Sequence, residues 1–144
     1  MASRPRFFYL LSLARHRVYK HVDRVAQEEL GVSAAWLGAL FVIEGQPGAS
    51  QRELARSLGF NESAITALLK KLIDAELVAR TPSPDDARVM QLSLTRRGAA
   101  LARKGKPLLA RFNAMLMDGF TDEEIAVAAR FLENAIERFG PEGR

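Results

Sequence analysis

The sequence contains no cysteine, only two histidines and one tryptophan. Without thiols there is no disulfide framework, no thiolate metal site and no cysteine-based redox switch. His16 and His21 alone do not make a histidine-rich metal site, so neither a metal nor a cofactor is expected. No window approaches the roughly 20 apolar residues that a membrane span needs. The apolar patches near the start are broken by Arg15, His16 and Arg17, which is not the pattern of a secretory leader. A phosphate-cradling glycine loop, metal-ligand spacing and a supported serine–histidine arrangement are all missing, which argues against an enzyme. The acidic pairs Glu28-Glu29 and Glu123-Glu124 read as solvated or capping groups. These absences fit a cytoplasmic protein that does not enter a membrane.

What remains is ordinary globular material. The chain has 144 residues, 48% hydrophobic and 26% charged, which suits a single domain over residues 1–144. The net charge of +4 is unevenly spread. Residues 50–106 carry 11 Lys/Arg against 6 Asp/Glu, whereas residues 107–144 carry 4 against 7. A basic middle between less basic ends suggests contact with a polyanion, although a solvated mixed surface explains the charge equally well.

Periodicity predicts a helix from about Arg6 to Leu30, with Phe7, Leu11, Ala14, Val18, Val22 and Val25 at helical spacing. Gly31 ends it, and Ser33 caps a second helix holding Trp36, Leu37, Leu40, Phe41 and Ile43. Gly45-Gln46-Pro47-Gly48 is a turn. Ser50-Gln51-Arg52-Glu53 is a capping box that opens a short third helix with Leu54, Ala55 and Leu58. Gly59-Phe60 breaks it, and Asn61 caps a fourth helix with Ile65, Leu68, Leu69, Leu72 and Ile73 inward.

After Glu76, Leu77–Thr81 is a strand candidate, Pro82–Asp86 a loop, and Val89–Thr95 a period-two strand with Met90, Leu92 and Leu94 on one face. Thr95 caps a fifth helix through Leu101, Leu108, Phe112 and Met115 or Leu116. Pro107 inside that helix predicts a kink or break. Thr121–Glu124 is a second capping box. It opens a last helix with Ile125, Ala128, Ala129, Leu132, Ile136 and Phe139 as one stripe, closed by Gly140-Pro141.

A short helix, a tight turn, a longer helix and then a hairpin form the informative constellation. A helix fits the major groove of duplex DNA, where base edges differ, and a basic hairpin loop can reach the adjacent minor groove. In these features the chain resembles the MarR family of bacterial winged-helix regulators. The resemblance is carried by Arg52-Glu53-Leu54-Ala55-Arg56-Ser57-Leu58-Gly59, by Ala64–Leu72, by Leu77-Val78-Ala79-Arg80, and by the wing stretch Asp85-Asp86-Ala87-Arg88 with Leu92-Ser93-Leu94-Thr95-Arg96-Arg97-Gly98. The family wing usually reads Asp-Arg-Arg; here Asp86 and Arg88 match its first and third positions and Ala87 replaces the middle arginine.

The fold class expected is mainly α with a small β-hairpin wing. A winged helix-turn-helix lobe (33–98) lies between dimerisation helices (6–30 and 107–140). The resemblance implies an obligate homodimer on a pseudo-palindromic operator in double-stranded DNA, with repression the commoner outcome. On the fourth helix Ser63, Ala64, Thr66 and Ala67 are candidates for base edges and Lys70 for phosphate. Arg88 can enter the minor groove, held by Asp86 in a bidentate pair. The competing reading of that pair is a plain surface salt bridge, worth at most about 1 kcal/mol. Ser50, Gln51 and Arg52 lie at a helix start suited to phosphate, and capping alone explains Ser50 equally well. Arg56, Arg80 and Arg96 are further phosphate candidates.

The resemblance also implies that Phe7, Phe8, Leu11, Leu132, Ile136 and Phe139 interlock with a second subunit, the alternative being packing within one subunit. It further implies a small aromatic or phenolic effector in a cleft that His16, Arg17, Tyr19 and Trp36 can line, the alternative being core or surface roles. A winged-helix protein-interaction module without sequence-specific DNA binding is the rival function. It would need neither Arg88 nor the basic middle.

Overall fold

The computed structural model describes residues 4–140. The elements run α1 (Phe7–Leu30), α2 (Ala34–Gly45), α3 (Gln51–Leu58), α4 (Glu62–Asp74), β1 (Val78–Pro82), β2 (Met90–Leu94), α5 (Arg96–Met117) and α6 (Asp122–Arg138). The chain divides into a compact unit ending at Leu108 and a second beginning at Leu109. The first holds α1–α4, the hairpin and the start of α5; the second holds the rest of α5 and α6. Pro141 lies outside the described residues. No helix among the described residues is long and apolar enough to cross a membrane.

Local chemistry sets the helix starts. Ser33 accepts a hydrogen bond from the Trp36 amide, and Asp23 of α1 accepts one from the Ala34 amide at 2.8 Å. The start of α2 is therefore satisfied from two sides. Ser50 and Glu53 complete a reciprocal box at α3, and Thr121 and Glu124 complete another at α6. Asn61 accepts from the Ala64 amide at 2.8 Å and opens α4. Gly59 takes φ 66° between α3 and α4, a left-handed position that glycine adopts without strain.

The core of the first unit is built from α2, α3, α4 and the hairpin. Leu40, Ile43, Leu54, Ile65, Leu69, Leu72 and Leu92 are fully buried there. Burying each such side chain contributes on the order of 1.5–3 kcal/mol against leaving it exposed. β1 and β2 pair antiparallel with Val78 opposite Leu94 and Pro82 opposite Met90. The turn before α3 also joins β2: the Gly48 amide donates to the Leu92 carbonyl at 3.1 Å and the Leu92 amide to the Ala49 carbonyl at 2.8 Å. The hairpin is thus held by its own ladder and by the helix-turn-helix.

The end of α4 meets the base of the hairpin closely. Glu76 adopts φ 58°, a left-handed conformation unusual for a residue with a side chain. The Leu77 amide donates back to Leu72 and the Glu76 amide to Ile73, which satisfies the last carbonyls of α4. Thr95 then closes the base of the hairpin. Its hydroxyl donates to the Glu76 carbonyl at 2.6 Å and accepts from the Gly98 amide at 3.0 Å, while its amide donates to the Leu77 carbonyl.

α5 and α6 bury few of their residues. α5 runs through Pro107 without a break. Pro107 and Arg103 lie on its exposed side while Ala102, Leu108 and Phe112 are buried. Met115 and Leu116 are exposed rather than inward, at 61% and 56%. The apolar stripe of α6 exists as a helical face, but none of its residues is buried.

A Cβ on Gly98 would stand 2.0 Å from the Leu77 carbonyl oxygen, a backbone atom. Gly98→Ala should therefore destabilise the fold by about 2–4 kcal/mol, with the hairpin base displaced from α4. Thr95→Ala, which only removes the cap, should cost about 1–2 kcal/mol. Urea titrations followed by circular dichroism measure both; equal stability of Gly98→Ala and the parent would contradict the contact.

Candidate nucleic-acid interface

α4 separates its two faces cleanly. Ile65, Leu68, Leu69 and Leu72 are buried, and Ser63, Ala64, Thr66, Ala67 and Lys70 are exposed. At about 100° per residue, Ser63, Thr66, Ala67 and Lys70 share the side opposite the core, with Ala64 at its edge. The five candidate residues of the fourth helix therefore lie on one exposed surface. Lys70 is partnered by Asp74 at 3.1 Å, both well exposed. Such an i,i+4 pair is weak enough to yield its cation to a phosphate.

At the start of α3 the structure is more specific than the sequence reading. The Ser50 amide donates to Glu53 at 2.8 Å and the Ser50 hydroxyl accepts from the Glu53 amide at 3.1 Å. Ser50 is engaged as a cap, though its hydroxyl keeps its own hydrogen to donate. Gln51 spans two elements: its side-chain amide nitrogen donates to the Thr66 hydroxyl at 2.9 Å, and its oxygen accepts from Arg80 at 3.3 Å. Arg52 is exposed beside it. Sequence reading treated Gln51, Thr66 and Arg80 as three separate contacts. Residues 15 and 29 positions away from Gln51 converge on it only once the hairpin folds back.

The wing is shaped by Asp86. The Ser83 amide donates to the Val89 carbonyl and the Val89 amide to the Asp86 carbonyl, closing the tip. The Arg88 backbone amide donates to Asp86 Oδ1 at 3.0 Å; Arg88 Nε reaches the same oxygen at 3.1 Å and Nη2 reaches Oδ2 at 3.2 Å. The expected bidentate pair is present, and a backbone hydrogen bond locks it to the turn. The Arg88 side chain remains 91% exposed. The Arg88 side-chain bonds, then its backbone amide, hold the Asp86 carboxyl below its usual pKa. Ala87 is exposed between them and supplies no cation.

A separate surface cleft of about 340 Å³ is lined by Arg15, His16, Tyr19, Lys20, Asp23 and Ala35. Of the four residues named for an effector cleft, His16 and Tyr19 are in this lining and Arg17 and Trp36 are not. Arg17 falls on another face of α1, and Trp36 packs half-buried against the core of the first unit. Sequence reading missed Arg15 and Lys20, which share the Tyr19 face by helical spacing. The Arg15 guanidinium lies 5.4 Å from the Tyr19 ring centroid. Asp23 has one oxygen committed to the start of α2, and the lining combines cationic, aromatic and acidic groups.

Among the six residues expected at a second subunit, Phe8, Ile136 and Phe139 are 87%, 72% and 83% exposed. Phe7, Leu11 and Leu132 are also exposed.

The comparisons with known proteins agree with this geometry. Residues 30–89 match the family model described as MarR family. The HTH-type transcriptional repressor Rv2887 of Mycobacterium tuberculosis is 32% identical over 108 residues, covering 75% of this chain and 78% of that protein. A mutant MarR from E. coli, solved in complex with operator DNA, is 26% identical with a TM-score of 0.72, covering 92% of this chain and 99% of that one. The MepR–DNA complex of S. aureus has the same fold, with a TM-score of 0.82 at 19% identity over 92% of this chain and 98% of that one. The chain belongs to the MarR family of winged helix-turn-helix proteins.

The depressed Asp86 pKa gives the wing a defined pH response. A carboxylate with a lowered folded-state pKa contributes order above its ordinary range, and that order is lost as the pH falls through the lowered value. Arg88 should therefore stay paired from neutral pH down past the ordinary midpoint of 3.8. An NMR titration of the Asp86 carboxyl should give a midpoint below 3.8, and Arg88→Ala should raise it. An unshifted midpoint in the parent would show that the pair does not persist in solution.

Proposed function

We propose that this chain is a ligand-responsive transcriptional repressor that binds a pseudo-palindromic operator as a homodimer. That it is a DNA-binding transcriptional regulator follows from its family, with relatives that include named repressors and a MarR protein solved on operator DNA. The observation that carries the reading is the coupling of the exposed α4 face to a wing whose arginine is fixed by Asp86. In this reading Ser63, Ala64, Thr66 and Ala67 meet base edges in the major groove, and Lys70 and Arg52 meet phosphates. Arg88 enters the minor groove and Asp86 holds it there. Ser50 and Gln51 stand at the groove edge.

The organisation proposed is a DNA-binding lobe over 33–98 and dimerisation helices over 6–30 and 107–140. What supports the dimer is that large apolar side chains stand exposed on α1 and, separately, on α6, as residues of an association site do. The interlocking set is Phe7, Phe8, Leu11, Leu132, Ile136 and Phe139. A two-fold dimer places two α4 helices about 34 Å apart, one helical turn of B-DNA. The α1 cleft supports a small aromatic or phenolic effector, matched to the Tyr19 ring with Arg15 and Lys20 beside it. A regulator of this kind acts in the cytoplasm.

Selection of bound duplexes from a random pool tests the function, repeated with small aromatic carboxylates present. On the selected duplex, Arg88→Ala should weaken binding at least about fivefold, corresponding to about 1 kcal/mol, and leave the oligomeric state unchanged. Unchanged affinity would refute the wing assignment. Affinity for random duplex should fall steeply with salt, as phosphate contacts require; a chain with no duplex affinity would instead be a protein-interaction module.

Deleting residues 130–144 should yield monomers or aggregate in sedimentation velocity. A stable monomer that still binds the operator at parental affinity would refute the dimer.

A further inference from the structure

The hydrogen-bond directions on the α4 face narrow what it can read. Arg80 has only donors, so the Gln51 atom facing its guanidinium must be the oxygen. The Gln51 nitrogen is then the atom turned to Thr66, at 2.9 Å. A nitrogen carrying two hydrogens donates, so the Thr66 hydroxyl accepts. The hydroxyl's own hydrogen goes to the Glu62 carbonyl at 2.8 Å, one turn back along α4. Arg80 thus sets, through Gln51, the polarity of a side chain on another helix. Ser63 is turned the same way, its hydroxyl donating to Asn61 at 3.0 Å. Ala64 and Ala67 carry only methyl groups.

From these directions we infer that Thr66 is a specificity residue that reads the C5 methyl of thymine through its own γ-methyl group, and that Gln51 is the positioning residue that keeps its hydroxyl from donating to a base. The inference rests on the DNA-binding reading and deepens it. A threonine free to donate would satisfy the acceptors of guanine or adenine as readily as it touches a methyl. With its hydrogen committed, Thr66 has one lone pair and a methyl to offer. Among major-groove edges, only thymine presents a methyl group to match it. Gln51 therefore acts on sequence preference, and Arg80 acts through Gln51.

The test uses the full-length protein and the duplex selected from the random pool. Thr66→Val keeps the methyl and removes the hydroxyl; Thr66→Ser does the reverse. Uracil replaces each operator thymine in turn, which deletes only the C5 methyl. Thr66→Val should bind the selected duplex within about twofold of the parent. Thr66→Ser should lose about three- to fivefold, the size of one buried methyl. One uracil replacement should cost the parent the same factor and cost Thr66→Ser nothing further, so the two losses form one coupled pair. Gln51→Leu should lower the ratio of selected-duplex to random-duplex affinity, with the lost discrimination falling at that same position.

Loss of binding in Thr66→Val with retention in Thr66→Ser would overturn the inference, because the hydroxyl would then be the reader. A Gln51→Leu protein that binds every duplex more weakly by one factor would also overturn it, making Gln51 a backbone contact. Either result leaves the DNA-binding reading standing. A parent protein with no duplex affinity would remove both.

Discussion

The Leu77 carbonyl is the point on which the winged helix turns. It accepts the Thr95 amide at 3.1 Å, and it lies where any side chain on residue 98 would begin. The exit of α4, the base of the hairpin and the entry to α5 therefore meet around one backbone group. Because the hairpin base is fixed against the end of α4, the direction in which Arg88 projects is fixed relative to the α4 face. The left-handed Glu76 is part of the same constraint. Its conformation is unfavourable alone, and it is held by the Thr95 hydroxyl, which donates to its carbonyl.

How far the sequence discloses this depends on how local each feature is. The two capping boxes, the Asn61 cap and the α4 stripe are decided within four residues, and they appear in the structure where their spacing puts them. The wing pair is equally local, since Asp86 and Arg88 are two residues apart. The Gln51 bridge was not legible, because no rule of spacing relates a helix start to a strand 29 positions later. The pairing of Gly48 and Ala49 with Leu92 was hidden for the same reason. Of the kink or break expected at Pro107, the break is absent, since α5 runs continuously from Arg96 to Met117. The resemblance suggested Trp36 as a ligand wall, whereas its position on α2 places it against the core.

The charge pattern acquires a finer meaning from the same geometry. The basic middle of the chain is not a uniform patch: Arg88, Lys70 and Arg97 each have an acidic partner on the surface. Exposed pairs of this kind contribute little to stability. Their effect is orientational, holding long side chains in a narrow range of directions before any partner arrives. At the wing, where Ala87 leaves one cation fewer than the family pattern, that fixed direction matters most. Under the proposed function, ordering Arg88 beforehand lowers the entropy lost on entry into a groove.

The committed hydroxyl of Thr66 has a consequence at the level of the chromosome. A face that distinguishes bases by the substituent at C5 responds to that group whatever ring carries it. Cytosine methylated at C5 offers the same methyl in the same place as thymine, while its partner base and its coding identity stay unchanged. For such a reader, enzymatic methylation of a cytosine at the Thr66 position is equivalent to a point mutation of the operator, written and erased without altering the DNA sequence.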